Sequence, residues 1–520
     1  MGVDHKTSLN ERWNNFQSGL FEQKDAASLA FFRIVLGVML MHDALKIFPI
    51  EMGNYAITEF RPYYYGFGWV QANLTLITIC VNTLPFAVFC VTIGLFYRIA
   101  MPITAIILTY MFLIYPEHYL NHYYMLILFC TLMSFIPANK IWSIDSLIKN
   151  KQTKNETTVP AWSYWLLKMQ TEVILVYAGL VKINWDWLQL QPLGSWVRLG
   201  FFDVPIIGPI FFFDPVVAIG AYGVIILHVF GAPLLFWDKA RPWVFGVYTC
   251  FHLTNSALFN IGIFPFMTIG ATLLFFNPNW PRLWIKKLKP TTDKVVKIYE
   301  GVRSFSIPKK VFLIFTFTWV AIQIITPIPA LFSDNLKTAW HGHKDLFAWR
   351  MMLNDRAINT AMYVVHIPQR RRIEFIPLRK YLSARQCTRV AWRPNMSVQF
   401  ANYLEEEYKQ KYAATDVRVH AYILLAVNFR EPALWADPTL NLADYEPKFG
   451  IHEWILPLDK PFRTWEEKVK AGRFTKPTYQ EILDAMQLPK EEIIVFDKPQ
   501  VDLTTHVERP DCRSVYSYDY

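Results

Sequence analysis

Charge is scarce in this sequence. Asp, Glu, Lys and Arg make up 18% of its 520 residues, whereas 53% are apolar and 16% aromatic. A chain of that composition is not disordered, collagenous or a coiled coil. Cysteine is scarcer still, at six residues, which excludes a small secreted scaffold built on disulfides. The sequence also lacks the signatures of several catalytic classes. It has no Walker loop, dinucleotide glycine fingerprint, His-Glu-x-x-His helix, nucleophile elbow or CxxC pair. His341 and His343 stand two apart, but no third ligand type is near them in sequence, so no metal is expected.

What the chain does have is a succession of long apolar runs. A helix needs about 20 residues to cross a bilayer. Nine runs suggest crossings: Ser28–Phe48, Asn73–Leu95, Ile99–Tyr115, Tyr123–Phe135, Ala161–Val181, Pro215–Trp237, Trp243–Leu258, Ile261–Phe276 and Val311–Phe332. The fourth and seventh are short for a full crossing. After Ser333 the pattern changes to short β-like runs at Ala361–Ile367, Ile373–Leu378, Tyr422–Val427 and Glu492–Asp497, with a helical stretch at Asn395–Ala413. The expected fold is therefore an integral membrane all-α bundle of about nine transmembrane helices over residues 28–332. A polar cytoplasmic segment (1–27) precedes it, with no cleavable signal peptide expected, and a soluble α+β domain (333–520) follows it.

The net charge of +10 follows from how Lys and Arg are distributed between loops. With the N-terminus cytoplasmic, inside segments carry roughly 19 Lys and Arg and outside loops 4, a strong bias by the positive-inside rule. About nine of the 19 fall in the loop from Arg282 to Lys310. An odd number of crossings then places the C-terminal domain on the outer or lumenal side. Topology accounts for the basicity, so the expected partner is the lipid bilayer and not nucleic acid. Cys387 and Cys512 both fall in the outer domain, where they could pair. Asn395-Met-Ser is the one glycosylation pattern within that domain.

Ionisable side chains at membrane depth are costly and usually face the bundle interior. They are Arg33, His42, Asp43, His122, Lys168, Glu172, His228 and His252. Lys168 and Glu172 lie four apart on one helical face and are expected to pair. Arg33 and Asp43 each suit an anchor to a neighbouring helix. Lys182 ends the fifth run, within Tyr177-Ala-Gly-Leu-Val-Lys182-Ile-Asn-Trp185-Asp186-Trp187. Its apolar and aromatic neighbours would desolvate the ammonium, lower its pKa and make a usable base near neutral pH. A lysine at a span end can equally snorkel to the interface beside belt tryptophans. His122 and His252 suit packing roles as well as a site. All three lie toward the outer side of the expected topology.

At these residues the sequence resembles the vitamin K-dependent γ-glutamyl carboxylase family, whose membrane part is also called the horizontally transferred transmembrane domain. The resemblance is spread over residues 25–440. It runs through Phe32-Arg33 with Asp43, Gly94-Leu-Phe-Tyr97-Arg98, Asn121-His122-Tyr-Tyr124, Trp142-Ser-Ile-Asp145 and Val159-Pro-Ala-Trp162. Gln170, Ala178-Gly179 with Lys182, Asp186-Trp187, His252 with Asn255-Ser256, Leu258-Phe259 and Ile261-Gly262-Ile-Phe264 continue it. Trp349, Met351-Met352, Arg356, Asn428, Arg430 and Asp437-Pro438 extend it beyond the membrane.

The resemblance implies an enzyme that oxygenates reduced vitamin K, a hydroquinone, to its epoxide and couples this to carboxylation of glutamate with O2 and CO2. It implies Lys182 as the base that deprotonates the hydroquinone. His122 is implied as a stabiliser of the glutamate carbanion, and His252, Asn255, Trp349 and Arg356 as substrate-binding residues. The implied partners are the quinone and a glutamate-containing peptide or protein; no metal is implied.

Three departures qualify the resemblance. The sequence after the membrane part is shorter than in the animal enzymes and lacks much of their β-rich region, as expected of a short homologue. Phe60-Arg-Pro-Tyr-Tyr stands where those enzymes have a bridging cysteine. Arg350 and Asn354 replace a family acid and a family histidine. Two alternatives stay open: a quinol epoxidase of the same family without protein carboxylation, and a non-enzymatic lipid-binding or transport protein.

Overall fold

The computed structural model describes residues 9–150, 157–200, 207–259, 261–288, 309–463, 467, 475–496 and 502–507. Most of the basic loop after Leu288, and Cys512, lie outside the described residues. Helix forms in all nine expected segments. They are α1 Ala27–Ile57, α2 Leu74–Ile93, α3 Tyr97–Ile114, α4 Asn121–Phe135, α5 Trp162–Leu180, α6 Asp214–Ile226, α7 Arg241–Leu258, α8 Phe264–Thr272 and α9 Lys309–Ile325.

Among the described residues, five helical stretches are long and apolar enough to cross a membrane: Ala27–Ile50, Leu74–Ile93, Tyr97–Ile114, Asp214–Leu234 and Lys309–Leu331. Phe86, Ile106, Ile219 and Ile314 lie within such stretches and are more than half exposed. Hydrocarbon is the natural solvent for those faces. The chain is thus a multi-pass membrane protein with five candidate spans by length and composition, and the expected nine are not confirmed. The other four fall short for physical reasons. α4 has 15 residues and α8 has 9, while α5 carries Lys168, Gln170 and Glu172, and α7 carries Arg241, His252 and Asn255. These less apolar helices hold or border most of the polar candidates named from sequence.

Local capping shows why several of the motifs quoted above have these residues. Asn73 Oδ1 accepts from Leu76 N at 3.1 Å and starts α2. Gly94 ends it at φ 68°, a left-handed position that suits glycine. A Cβ on Gly94 would lie 2.3 Å from Ser143 Cβ and 2.7 Å from Arg33 Nη1. Arg33 donates to the carbonyls of Ala138 and Trp142 at 3.0 and 2.5 Å. Asp145 accepts from Phe96 N and Tyr97 N at 2.8 and 3.0 Å and so caps α3. Arg33, Gly94, Tyr97 and Asp145 therefore build a corner of the bundle, and Arg33 is the anchor its depth suggested.

The sheet-containing C-terminal region has five strands: β1 Arg356–Ile367, β2 Arg372–Phe375, β3 Arg418–Val427, β4 Ala433–Leu434 and β5 Ile493–Val495. Their order is β4-β3-β1-β2-β5, antiparallel except for the β2–β5 pair. Side chains alternate across β1. Tyr363, Val365 and Ile367 enter the core that includes α10 (Pro394–Tyr412), and Val364 enters a second core with Ile482 and Leu483. Both faces are covered, so the strands show little polar alternation. Asn395, the glycosylation candidate, uses its amide to hold Lys448 and His452 at 2.9–3.0 Å, which makes it a structural residue here. Cys387 is buried and disulfide-bonded; Cys80, Cys90, Cys130 and Cys250 are free.

Of the polar contacts that join this region to the bundle, two involve buried carboxylates. Arg430 grips both oxygens of Asp186 at 2.8 Å, and Asn428 Nδ2 donates to Asp186 Oδ2 at 2.7 Å. Gln386 Nε2 donates to Glu117 Oε1 at 3.0 Å. Between the two regions, residues 344–355 form a loop packed against the bundle. Lys344, Phe347, Trp349 and Met352 all have φ between 49° and 60°, a conformation that non-glycine residues hold only under external packing. Trp349 supplies some of that packing. It is 1% exposed, belongs to the bundle core and stacks on Tyr124 with ring centroids 5.0 Å apart.

Candidate active site

α5 runs out at Leu180, and the chain turns through Lys182 N→Gly179 O (3.0 Å) and Asn184 N→Lys182 O (2.9 Å). Asn184 then caps the next turn by accepting from Trp187 N at 3.1 Å. This tight exit keeps Lys182 against the bundle, and it is 5% exposed. Its Nζ donates to Ala178 O at 3.0 Å and to Met351 O at 2.9 Å, and lies 5.1 Å from the Trp187 ring centroid. No carboxylate pairs with it among the described residues. Lys182 lies just past the expected span Ala161–Val181. Desolvation there, with the Arg350 charge adding to it, draws its pKa down to about 7. An uncharged amine has two N–H groups, which match the two carbonyls, and one lone pair left over.

Lys182 lines a cavity of about 290 Å³. The wall is apolar and aromatic, with Trp187, Trp196, Val217, Phe259 and Phe264 among its residues, and its few polar groups converge as in a small-molecule site. Of the residues named from sequence, the structure brings Lys182, His122, His252 and Asn255 together around it. His252 is 1% exposed, stacks on Tyr248 at 5.9 Å, and has no hydrogen-bond partner for either ring nitrogen among the described residues. Buried nitrogens left in that state each cost about 1–3 kcal/mol, and such orphans call for a partner the protein does not supply.

Trp349 and Arg356 do not line the cavity. Trp349 packs in the bundle core, as above. Arg356 donates to Ala339 O at 2.8 Å and Asp345 Oδ2 at 3.3 Å, and covers Trp392 at 4.1 Å. Trp349 lies within the loop whose Met351 and Met352 do reach the cavity, and Arg356 directly follows it. The expected Lys168–Glu172 pair is not made. Lys168 Nζ lies 5.7 Å from the Phe275 ring centroid instead, and both Glu172 oxygens are buried without a hydrogen-bond partner. Helical spacing put the two on one face but did not make their side chains converge.

Two features of the site were not singled out from sequence. One is the Met351 carbonyl, a backbone group with no side-chain signal. The other is His228, which lines the cavity from a π-helical turn, Leu227–Gly231, that follows α6. Its signal was present in the sequence as a histidine at membrane depth.

Comparison with known families gives two matches. A model described as the HTTM domain matches residues 21–280, half of the chain. A second, described as the vitamin K-dependent gamma-carboxylase lumenal domain, matches residues 308–461. No solved structure matches the chain. The first match spans every cavity residue except Met351 and Met352, which the second supplies. The chain belongs to the vitamin K-dependent gamma-carboxylase family.

Proposed function

We propose that this family member is a membrane enzyme that binds reduced vitamin K, a hydroquinone, in the cavity beside Lys182. In this reading it oxygenates the hydroquinone to the epoxide and couples that reaction to carboxylation of a glutamate side chain. The observation that carries the proposal is the Lys182 amine. It is buried, has no carboxylate partner among the described residues, offers two N–H groups to two carbonyls, and lines an apolar cavity.

Lys182 takes the hydroquinone's phenolic proton. A weak amine cannot remove a proton α to a carboxylate, so oxidation of the hydroquinone by O2 supplies the driving force for taking the glutamate γ-proton, and CO2 captures the resulting carbanion. Trp187, Trp196, Val217 and Phe264 exclude water that would quench a strong base. His122, on the cavity wall at the start of α4, stabilises the carbanion in this reading. The C-terminal region lies on the outer or lumenal side and the N-terminus in the cytoplasm. The positive-inside bias supports that topology, as does the disulfide at Cys387, a bond that persists in oxidising compartments.

The test is epoxide formation from reduced vitamin K by the full chain in vesicles, with and without a glutamate peptide and labelled CO2. Epoxide plus labelled peptide is the expected result. Absence of epoxide would leave only the lipid-binding alternative. A second reading, epoxidation without protein carboxylation, is favoured by Arg350. This arginine is 5% exposed, binds Asp345 at 3.1 Å and does not line the cavity. Epoxide without labelled peptide would establish that second reading.

A further inference from the structure

His228 is 5% exposed and sits in the π-helical turn after α6. A π turn inserts an extra residue into the helical ladder and re-aims the side chains around it, often at functional sites. Two contacts hold this one. Tyr248 Oη donates to Leu227 O at 3.0 Å. Gly179 of α5 lets the turn approach, since a Cβ there would lie 2.7 Å from His228 Cβ and 2.9 Å from Val229 Cγ2. Tyr248 and Phe251 meet the imidazole edge-on at 5.5 and 5.3 Å and fix its plane.

Nδ1 of His228 lies 3.0 Å from Val224 O. A carbonyl only accepts, so Nδ1 carries the hydrogen and the neutral ring leaves Nε2 as an acceptor. Among the described residues Nε2 makes no hydrogen bond, and the ring lines the same cavity as Lys182. The uncharged Lys182 amine has given both its N–H groups to carbonyls, so it too faces the cavity as an acceptor.

We propose that His228 is a specificity-determining residue whose Nε2, together with the Lys182 lone pair, selects the aromatic diol over the corresponding dione. The inference rests on the quinol-binding reading above. A diol offers two O–H donors to two acceptors. A dione offers only carbonyl oxygens and leaves both nitrogens facing lone pairs. Donors elsewhere on the wall, such as the Asn255 amide, do not discriminate, because hydroxyl and carbonyl oxygens both accept. An acceptor matched to a substrate hydroxyl rejects the analogue that lacks the hydrogen. The same preference would release product, since the oxidised ring loses both hydrogen bonds.

The experiment is anaerobic equilibrium dialysis of the full chain in detergent at pH 8, with a 2-methyl-naphthoquinone and its reduced diol as probes. The parent is expected to bind the diol at least tenfold more tightly. His228→Phe is expected to cut that ratio about tenfold while leaving dione binding in place, which also shows that the variant is folded. Equal weakening of both forms, or an unchanged ratio, would overturn the inference. If the variant does not fold, the parent's own ratio decides, since equal binding of diol and dione by the parent overturns the role of His228 alone. A parent that binds neither form overturns the quinol reading as well.

Discussion

The pH dependence of quinol oxygenation reads the state of the Lys182 amine directly. A free lysine titrates near about 10.4, whereas burial, helped by the Arg350 charge, brings Lys182 down to about 7. Only the uncharged amine accepts a proton, so activity rises with pH through that value. At pH 7.5 about three quarters of such a base is uncharged, against roughly one part in a thousand for an ordinary lysine. The ratio is roughly 600-fold, or about 4 kcal/mol at 1.36 kcal/mol per pH unit. We expect kcat/KM for epoxide formation, which reports the free enzyme, to fall about tenfold per unit below about pH 6 and to level off above about pH 8. Replacing Arg350 by Gln removes a positive neighbour and moves the midpoint upward. Lys182→Met, inserted normally, abolishes the rise along with the activity. A profile that is flat from pH 6 to 9, or a Lys182→Met variant that makes epoxide at the parent rate, would refute the assignment.

The same shift has a stability consequence. Between about pH 7 and about 10.4 the unfolded chain binds more protons at this lysine than the folded one, so stability rises with pH there. Lys182→Met should flatten that slope in thermal melts. Breaking the Asp186–Arg430 pair with Arg430→Met leaves a carboxylate that is 3% exposed without its cation. A loss of about 3–5 kcal/mol is expected in chemical denaturation, with incomplete recovery in Arg430→Lys because lysine cannot form the two-pronged contact. Gly179→Val pushes against His228 and Val229, so epoxidation should drop at least tenfold while far-UV circular dichroism stays unchanged. Trp349→Ala empties a fully buried site under the loop, and a loss of about 3–5 kcal/mol is expected; protease sensitivity within residues 344–355 would show it.

How much could be read in advance depended on the range of each interaction. Hydropathy located nine helices of the bundle, because the cost of exposing the backbone in lipid is local to each run, but it missed the short helices Leu193–Gly200 and Ile207–Phe211 that help line the cavity. Which helices are long and apolar enough to cross was harder to read, because α5 and α7 dilute their apolar stretches with polar groups. The Lys168–Glu172 pair failed for a related reason: spacing of four sets a common face, whereas side-chain direction is set by neighbours such as Phe275. Motifs at Gly94 and Asp145 carried part of the resemblance with no role attached, and the structure shows them capping and closing a corner of the bundle.

The sequence by itself determined that this chain enters a membrane, that a sheet-containing region follows the apolar runs, and which few ionisable groups had to be accommodated at depth, since all of these follow from composition and local period. Only the tertiary structure decided what those groups face. The carbonyl that meets the Lys182 amine comes from Met351, 169 residues later, and the arginine that holds Asp186 comes from 244 residues later. Water is kept from the amine by side chains of several helices and one strained loop, and an environment assembled from such distant segments has no period or spacing to betray it.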